Sequence, residues 1–132
     1  VGYMGDFIQN CAEDRLPFAA IITRTARTAE HLHTLLADRC PGLALARDSE
    51  SFKRGAVVIP IALAKGLEFD AVLVAPDILE AAEDEGGKRL LYTACTRALH
   101  RLWITGLPLP EWALACERAL QDNGGDAQGN AE

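Results

Sequence analysis

The feature that most limits what this chain can fold into is a set of aliphatic runs in which polar and apolar residues do not alternate. They read PFAAIIT (17–23), AVVIPIAL (56–63), AVLVAP (71–76) and RLWITG (101–106). A strand with one wet face shows a period of two, so runs without it belong to strands covered on both faces, as in a parallel sheet between helices. LALA (43–46) adds a short fifth candidate. None of these runs is long enough to cross a bilayer as a helix.

Helical spacing fills the intervals. Residues 1–16 repeat Met4, Phe7, Ile8 and Cys11 on one face. In TARTAEHLHTLLADRCPG (25–42), Ala29, Leu32 and Leu36 recur at helical spacing, Thr25 stands where a cap belongs, and Pro41-Gly42 stop the helix. LLYTACTRALHRLW (90–103) puts Leu90, Leu91, Ala94, Cys95 and Ala98 on one side and Thr93, Thr96, Arg97 and His100 on the other. That spacing predicts a helix with a core side and a chemical side. Glu111 to Leu120 reads as a closing helix, and residues 121–132 as a polar, disordered tail.

Alternating strand and helix define an α/β fold, a parallel sheet with helices on both faces, forming one domain over residues 1–120. In such sheets ligands lie beyond the carboxyl ends of the strands. The segments expected there are Thr23-Arg24-Thr25, Ala64 to Asp70 and Thr96-Arg97, three charged clusters predicted to converge on one edge.

Composition removes several alternatives. At 132 residues the chain can close a hydrophobic core without disulfides or metal. A formal net charge of −6 with scattered Lys and Arg argues against holding nucleic acid by bulk electrostatics. The acids of Asp77 to Glu85 read as a solvated surface stretch. Four cysteines, at positions 11, 40, 95 and 116, have neither zinc-site spacing nor the density of a secreted scaffold, and fit a reducing cytoplasm. Cys95, Phe69 and Trp103 are assigned to the core, and Trp112 to packing. His31 and His33, two residues apart, turn to different helix faces and do not share a metal; surface or capping roles suit them better. No signal-peptide pattern opens the chain.

AIITRT (20–25), LAKGLEFDAVLV (63–74) and LLYTACTRALHRL (90–102) resemble, in order and spacing, motifs IV, V and VI of the superfamily 1 helicases of the UvrD, Rep and PcrA family. KGLEFD followed by a YxAxTRA segment is the specific pair. The resemblance implies a RecA-like (P-loop NTPase-type) domain 2A, which closes on ATP together with a first RecA-like domain, 1A. It implies that Arg24 and Arg97 reach the γ-phosphate, that Glu68 bonds the ribose, and that Lys65-Gly66 form the turn beside the phosphates. A fixed guanidinium suits that task because hydrolysis of a phosphoanhydride places growing charge on the transferred and leaving oxygens. Gly66 lets backbone approach a ligand where a side chain would obstruct it. His100 is placed beside Arg97, where it would help to orient it.

The sequence also departs from that family. It contains no GxxxxGK[ST], so magnesium and the β- and γ-phosphates would be held mainly by an N-terminal RecA-like domain of the same protein, and the chain is expected to be the carboxyl-terminal part of something longer. By itself it should be inactive. Pro60-Ile61-Ala62-Leu63 stands where the family commonly has a DNA-touching threonine and a histidine, and Thr23 where it often has an adenine-stacking aromatic. The short interval between LALA and the motif V strand leaves no room for the family's large 2B insertion. This combination looks like the HelD-type or helicase IV branch.

The leading expectation is therefore a domain of an ATP-driven DNA helicase or translocase whose partners are domain 1A and single-stranded or duplex DNA, with no membrane. The alternative is a protein-interaction module of a HelD-type ATPase that remodels bacterial RNA polymerase with little direct DNA contact. A flavodoxin-like or receiver domain is disfavoured, because no acidic cluster follows the first strand.

Overall fold

The computed structural model describes residues 2–47 and 55–104. The expectations for Glu111 to Leu120, Trp112, Cys116 and the tail fall outside them. The chain runs α1 (Gly2–Glu13), β1 (Phe18–Thr23), α2 (Ala26–Leu36), β2 (Ala44–Leu45), β3 (Gly55–Pro60), α3 (Ile61–Ala64), β4 (Phe69–Val74), α4 (Pro76–Glu80), α5 (Glu85–Cys95) and β5 (Ala98–Ile104). The five strands form one sheet in the order β2-β3-β1-β4-β5, and every pairing is parallel.

The missing alternation now has its cause. Along the strands, Ala19, Ile21, Val58, Ala71, Leu73 and Trp103 face α1 and α2, meeting Met4, Phe7, Cys11, Ala29, Leu32 and Leu36. Their neighbours Ala20, Ile22, Val57, Ile59, Val72, Val74, Leu102 and Ile104 face α3, α4 and α5, meeting Ile61, Ala64, Ile78, Leu79, Leu91, Ala94 and Cys95. Each fully buried aliphatic or Phe side chain contributes roughly 1.5–3 kcal/mol relative to exposure, so both faces of the sheet demand a cover. Phe7 and Trp103 add an edge-to-face ring contact, with centroids 5.4 Å apart.

Polar residues fix where the helices begin. Thr25 caps α2 by accepting from the Thr28 N–H at 3.2 Å, and Asp84 caps α5 by accepting from the Gly87 N–H at 2.7 Å. Asp77, in the first turn of α4, accepts from the Arg24 N–H at 2.9 Å. The acids of 77–85 are thus more than a solvated stretch, since two of them hold backbone donors. His33 bonds the Leu43 carbonyl at 2.9 Å, tying α2 to the segment before β2.

Three boundaries differ from the sequence reading. The run 56–63 splits, with β3 ending at Pro60 and a single helical turn taking Ile61–Ala64. The next strand starts two residues earlier than its aliphatic run, at Phe69. The largest correction concerns 90–103: α5 stops at Cys95, Thr96 is its C-cap, and Ala98 already pairs with Phe69 as the first residue of β5. Ala98 is buried by the sheet and not by a helix face. His100 is a strand residue and shares no helical surface with Arg97.

Candidate functional site

In a parallel sheet all strands point one way, so the segments before and after a strand lie at opposite ends. Arg24 follows the carboxyl end of β1, level with Pro60, because Thr23 pairs with Pro60. Glu68 immediately precedes β4 and Arg97 immediately precedes β5, which places both at the amino edge. From Arg24 to that edge is on the order of 20 Å at the usual strand rise. The expected convergence of three clusters on the carboxyl edge is therefore corrected. The structure brings Arg97 and the Lys65–Glu68 segment together and leaves Arg24 at the far end.

The amino-edge group is built from backbone. The Phe69 N–H donates to the Arg97 carbonyl at 2.8 Å, joining the two segments. The Arg97 guanidinium folds over the end of α5: Nε donates to the Thr93 carbonyl at 3.3 Å, Nη2 to the Thr96 hydroxyl at 3.4 Å, and Nη1 to the Leu67 carbonyl at 3.3 Å. Thr93 and Leu67 thus supply oxygens that the sequence could not reveal, since carbonyls carry no residue signature. A cation at a helix carboxyl terminus is favoured by the unsatisfied carbonyls there. A guanidinium has five N–H donors, and three are used, so two stay available for an anion.

Arg97 is half-buried, and among the described residues no carboxylate forms an ion pair with it. Glu68 and Lys65 are exposed and likewise without such a partner. Between them Gly66 has φ +82°, a left-handed conformation that a side chain would strain, and no atom stands within 4 Å of where a Cβ would be. Asp70, the end of the predicted Ala64 to Asp70 cluster, lies inside β4. It accepts from the Phe18 N–H at 3.1 Å and stands 3.8 Å from His100 Nε2, so His100 on β5 faces Asp70 on the adjacent strand β4.

The chain is similar to known proteins over this region. The profile of the UvrD-like helicase C-terminal domain matches residues 55–105, from β3 through β5. The crystal structure of the C-terminal domain of a possible DNA helicase from Lactobacillus plantarum WCFS1 superposes with a TM-score of 0.74 at 31% identity, covering 90% of this chain and 74% of that one. The chain belongs to the UvrD-like helicase C-terminal domain family. No curated protein sequence matches it.

In this UvrD-like domain two cavities among the described residues lie away from the Arg97–Glu68 group. A cleft of about 500 Å³ at the carboxyl edge is lined by Arg24 together with Glu80, Glu83, Asp84 and Leu90. A larger groove of about 690 Å³, between α1 and the α2–β2 connection, contains none of the predicted site residues. Among the described residues no cluster suited to a metal ion occurs, and no helix is long and apolar enough to cross a membrane.

Proposed function

We propose that this chain is the second RecA-like domain of an ATP-driven superfamily 1 helicase or translocase, and that it meets the nucleotide with its amino edge. The observation that carries this reading is the unpaired Arg97 guanidinium, held by three oxygens beside the exposed Glu68 with two donors to spare. Arg97 acts as the arginine finger. It offers a permanent, preplaced cation to the charge that grows on the transferred phosphoryl oxygens, an effect worth roughly 10³ to 10⁵ in rate in other nucleotide hydrolases. Glu68 accepts from the ribose hydroxyls, and the Lys65-Gly66 turn lets backbone approach the phosphates. A preceding RecA-like domain supplies the phosphate loop and magnesium.

On this reading Arg24, which follows β1 at the opposite end of the sheet, does not meet the nucleotide. Arg24 and Arg27 are exposed cations flanking the amino end of α2, with no ion-pair partner among the described residues. Arginines at a helix amino terminus suit phosphate oxygens, so the nucleic acid, single-stranded DNA in the first instance, lies along this carboxyl edge. Glu80, Glu83 and Asp84 would keep a polyanion on the α2 side of Arg24. On this reading DNA, and not an RNA polymerase surface, is the direct contact.

The test is steady-state ATP hydrolysis by the full-length protein with single-stranded DNA. Arg97→Ala should lower kcat by roughly 10³ or more while the fold, followed by circular dichroism, persists. Glu68→Ala should raise the KM for ATP and spare kcat for a substrate lacking both ribose hydroxyls. Unchanged turnover in Arg97→Ala refutes the reading.

A further inference from the structure

An arginine finger works only if its charge is presented in one place, yet an arginine stem has several rotatable bonds and large rotamer entropy. What restrains this one is local. Thr96, the residue before it, is the C-cap of α5, with its N–H bonded to the Tyr92 carbonyl at 3.0 Å and its backbone fixed at φ −78°, ψ −2°. Its hydroxyl donates to the Thr93 carbonyl at 3.0 Å and accepts from Arg97 Nη2 at 3.4 Å. The same Thr93 carbonyl accepts from Arg97 Nε. One hydroxyl therefore bridges the two ends of the guanidinium grip, donating a hydrogen bond to the oxygen that holds Nε while accepting one from Nη2.

We propose that Thr96 is the positioning residue for Arg97: its hydroxyl selects the guanidinium orientation that points the two unused donors outward. The proposal rests on the arginine-finger reading. Thr96 is exposed, so its hydroxyl is not required to satisfy a buried group and can be removed without opening the core. The branched Cβ narrows the choice of χ1, which keeps the hydroxyl aimed at Thr93 and Arg97. The bond to Nη2 is long, so its effect is orientational. Misplacement of a catalytic group by about 1 Å can cost on the order of 10²-fold, and loss of one of three restraints is expected to cost less than that.

The experiment compares Thr96→Val, Thr96→Ala and Thr96→Ser with wild type and Arg97→Ala in the full-length protein, measuring kcat and KM for ATP with saturating single-stranded DNA. Thr96→Val and Thr96→Ala should each lower kcat roughly tenfold with KM within about twofold, as expected for an interaction that matters in the transition state. Thr96→Ser, which keeps the hydroxyl, should stay within about threefold of wild type. If Arg97→Ala is dead while Thr96→Val and Thr96→Ala turn over normally, the positioning role is wrong and the finger survives. If all three Thr96 variants fall equally, or if KM rises with kcat unchanged, the hydroxyl does not position the finger. If Arg97→Ala itself turns over normally, the finger reading fails first and this proposal with it.

Discussion

Two adjacent glycines in the first turn of α5 should respond to alanine in opposite directions. A Cβ at Gly87 would lie 1.5 Å from the Ala81 carbonyl oxygen, 2.4 Å from its carbonyl carbon and 3.0 Å from the Ala82 Cα. These are backbone atoms, so no rotamer change relieves the overlap, and the α4–α5 junction would have to open by roughly 2 Å to restore ordinary contact. Ala81 is the C-cap of α4, the helix whose Asp77 holds the Arg24 N–H, and Gly87 is the donor to the Asp84 cap. Overpacking costs about 1–3 kcal/mol and loss of a helix cap about 1 kcal/mol more, so Gly87→Ala should destabilise by roughly 2–4 kcal/mol, a large part of a typical 5–15 kcal/mol. At Gly86 the nearest atom to a new Cβ is Asp84 Oδ1 at 3.6 Å, ordinary contact. Gly86→Ala should therefore stabilise by up to about 1 kcal/mol through the smaller entropy of the unfolded chain. Urea unfolding followed by far-ultraviolet circular dichroism, with m-values compared, measures both. A Gly87→Ala midpoint within about 0.5 kcal/mol of wild type, or equal losses at the two positions, would refute the steric reasoning.

Cys11 is 2% exposed, and burial pushes its thiol from 9.0 up to about 12, with the Arg101 charge opposing the shift. A raised folded-state value favours the protonated thiol, so its contribution is intact below pH 9 and is lost as pH climbs from 9 toward 12, by about 1.4 kcal/mol per pH unit. Cys11→Ala should flatten that alkaline decline in unfolding free energy, and native Cys11 should resist alkylation at pH 8; rapid labelling under native conditions would contradict the burial argument. Arg101 is 8% exposed and donates from Nη1 to Asn10 Oδ1 at 2.8 Å and Asp14 Oδ2 at 2.6 Å, joining β5 to α1. Asp14 is half-exposed and can return to water, so Arg101→Met should be tolerated within about 1 kcal/mol, whereas Asp14→Ala leaves a buried cation without its anion and should cost roughly 3 kcal/mol. Thermal unfolding of the two variants decides, and the reverse order would overturn the reasoning.

Much of this fold was legible because burial on both sheet faces leaves a direct mark, aliphatic runs without alternation. Ala20 to Ile22, Val57 to Ile59 and Val72 to Val74 are all buried, and each sits inside a run read as a strand. The α2 cap at Thr25 and its Ala29, Leu32 and Leu36 stripe were equally plain. The α5–β5 junction was not. β5 carries a register shift opposite Phe69 and Ala71, so its burial runs Ala98 in, Leu99 and His100 out, then Arg101 to Ile104 in. Two exposed residues in succession interrupt the continuous aliphatic run that marked the other strands. Ala98 then continues the 3.6-residue spacing of Leu91, Ala94 and Cys95, and the helix looked longer than it is. That error moved Arg97 from the start of a strand to the flank of a helix.

The site was half legible for a related reason. Motif order placed Arg24, Glu68 and Arg97 in one group, but chain order alone does not say which end of the sheet a residue occupies. The segment from Pro60 to Phe69 settles it. Pro60 is level with Thr23, while Phe69 lies two residues below Ala71, the partner of Ala19, and β1 stands between β3 and β4. The link must therefore descend about 20 Å and cross two strand spacings of about 4.8 Å each, roughly 22 Å in all. One helical turn, Ile61–Ala64, makes part of the descent, and a turn closed by the Leu67 N–H on the Ala64 carbonyl at 3.0 Å brings the chain to Glu68. That turn gives Gly66 its φ of +82° a purpose, since the chain leaving α3 must redirect there before it enters β4. It also holds the Leu67 carbonyl where Arg97 can reach it. A strand that started at Ala71, as its aliphatic run suggested, would have given no reason for Glu68 to stand at the edge where Arg97 emerges.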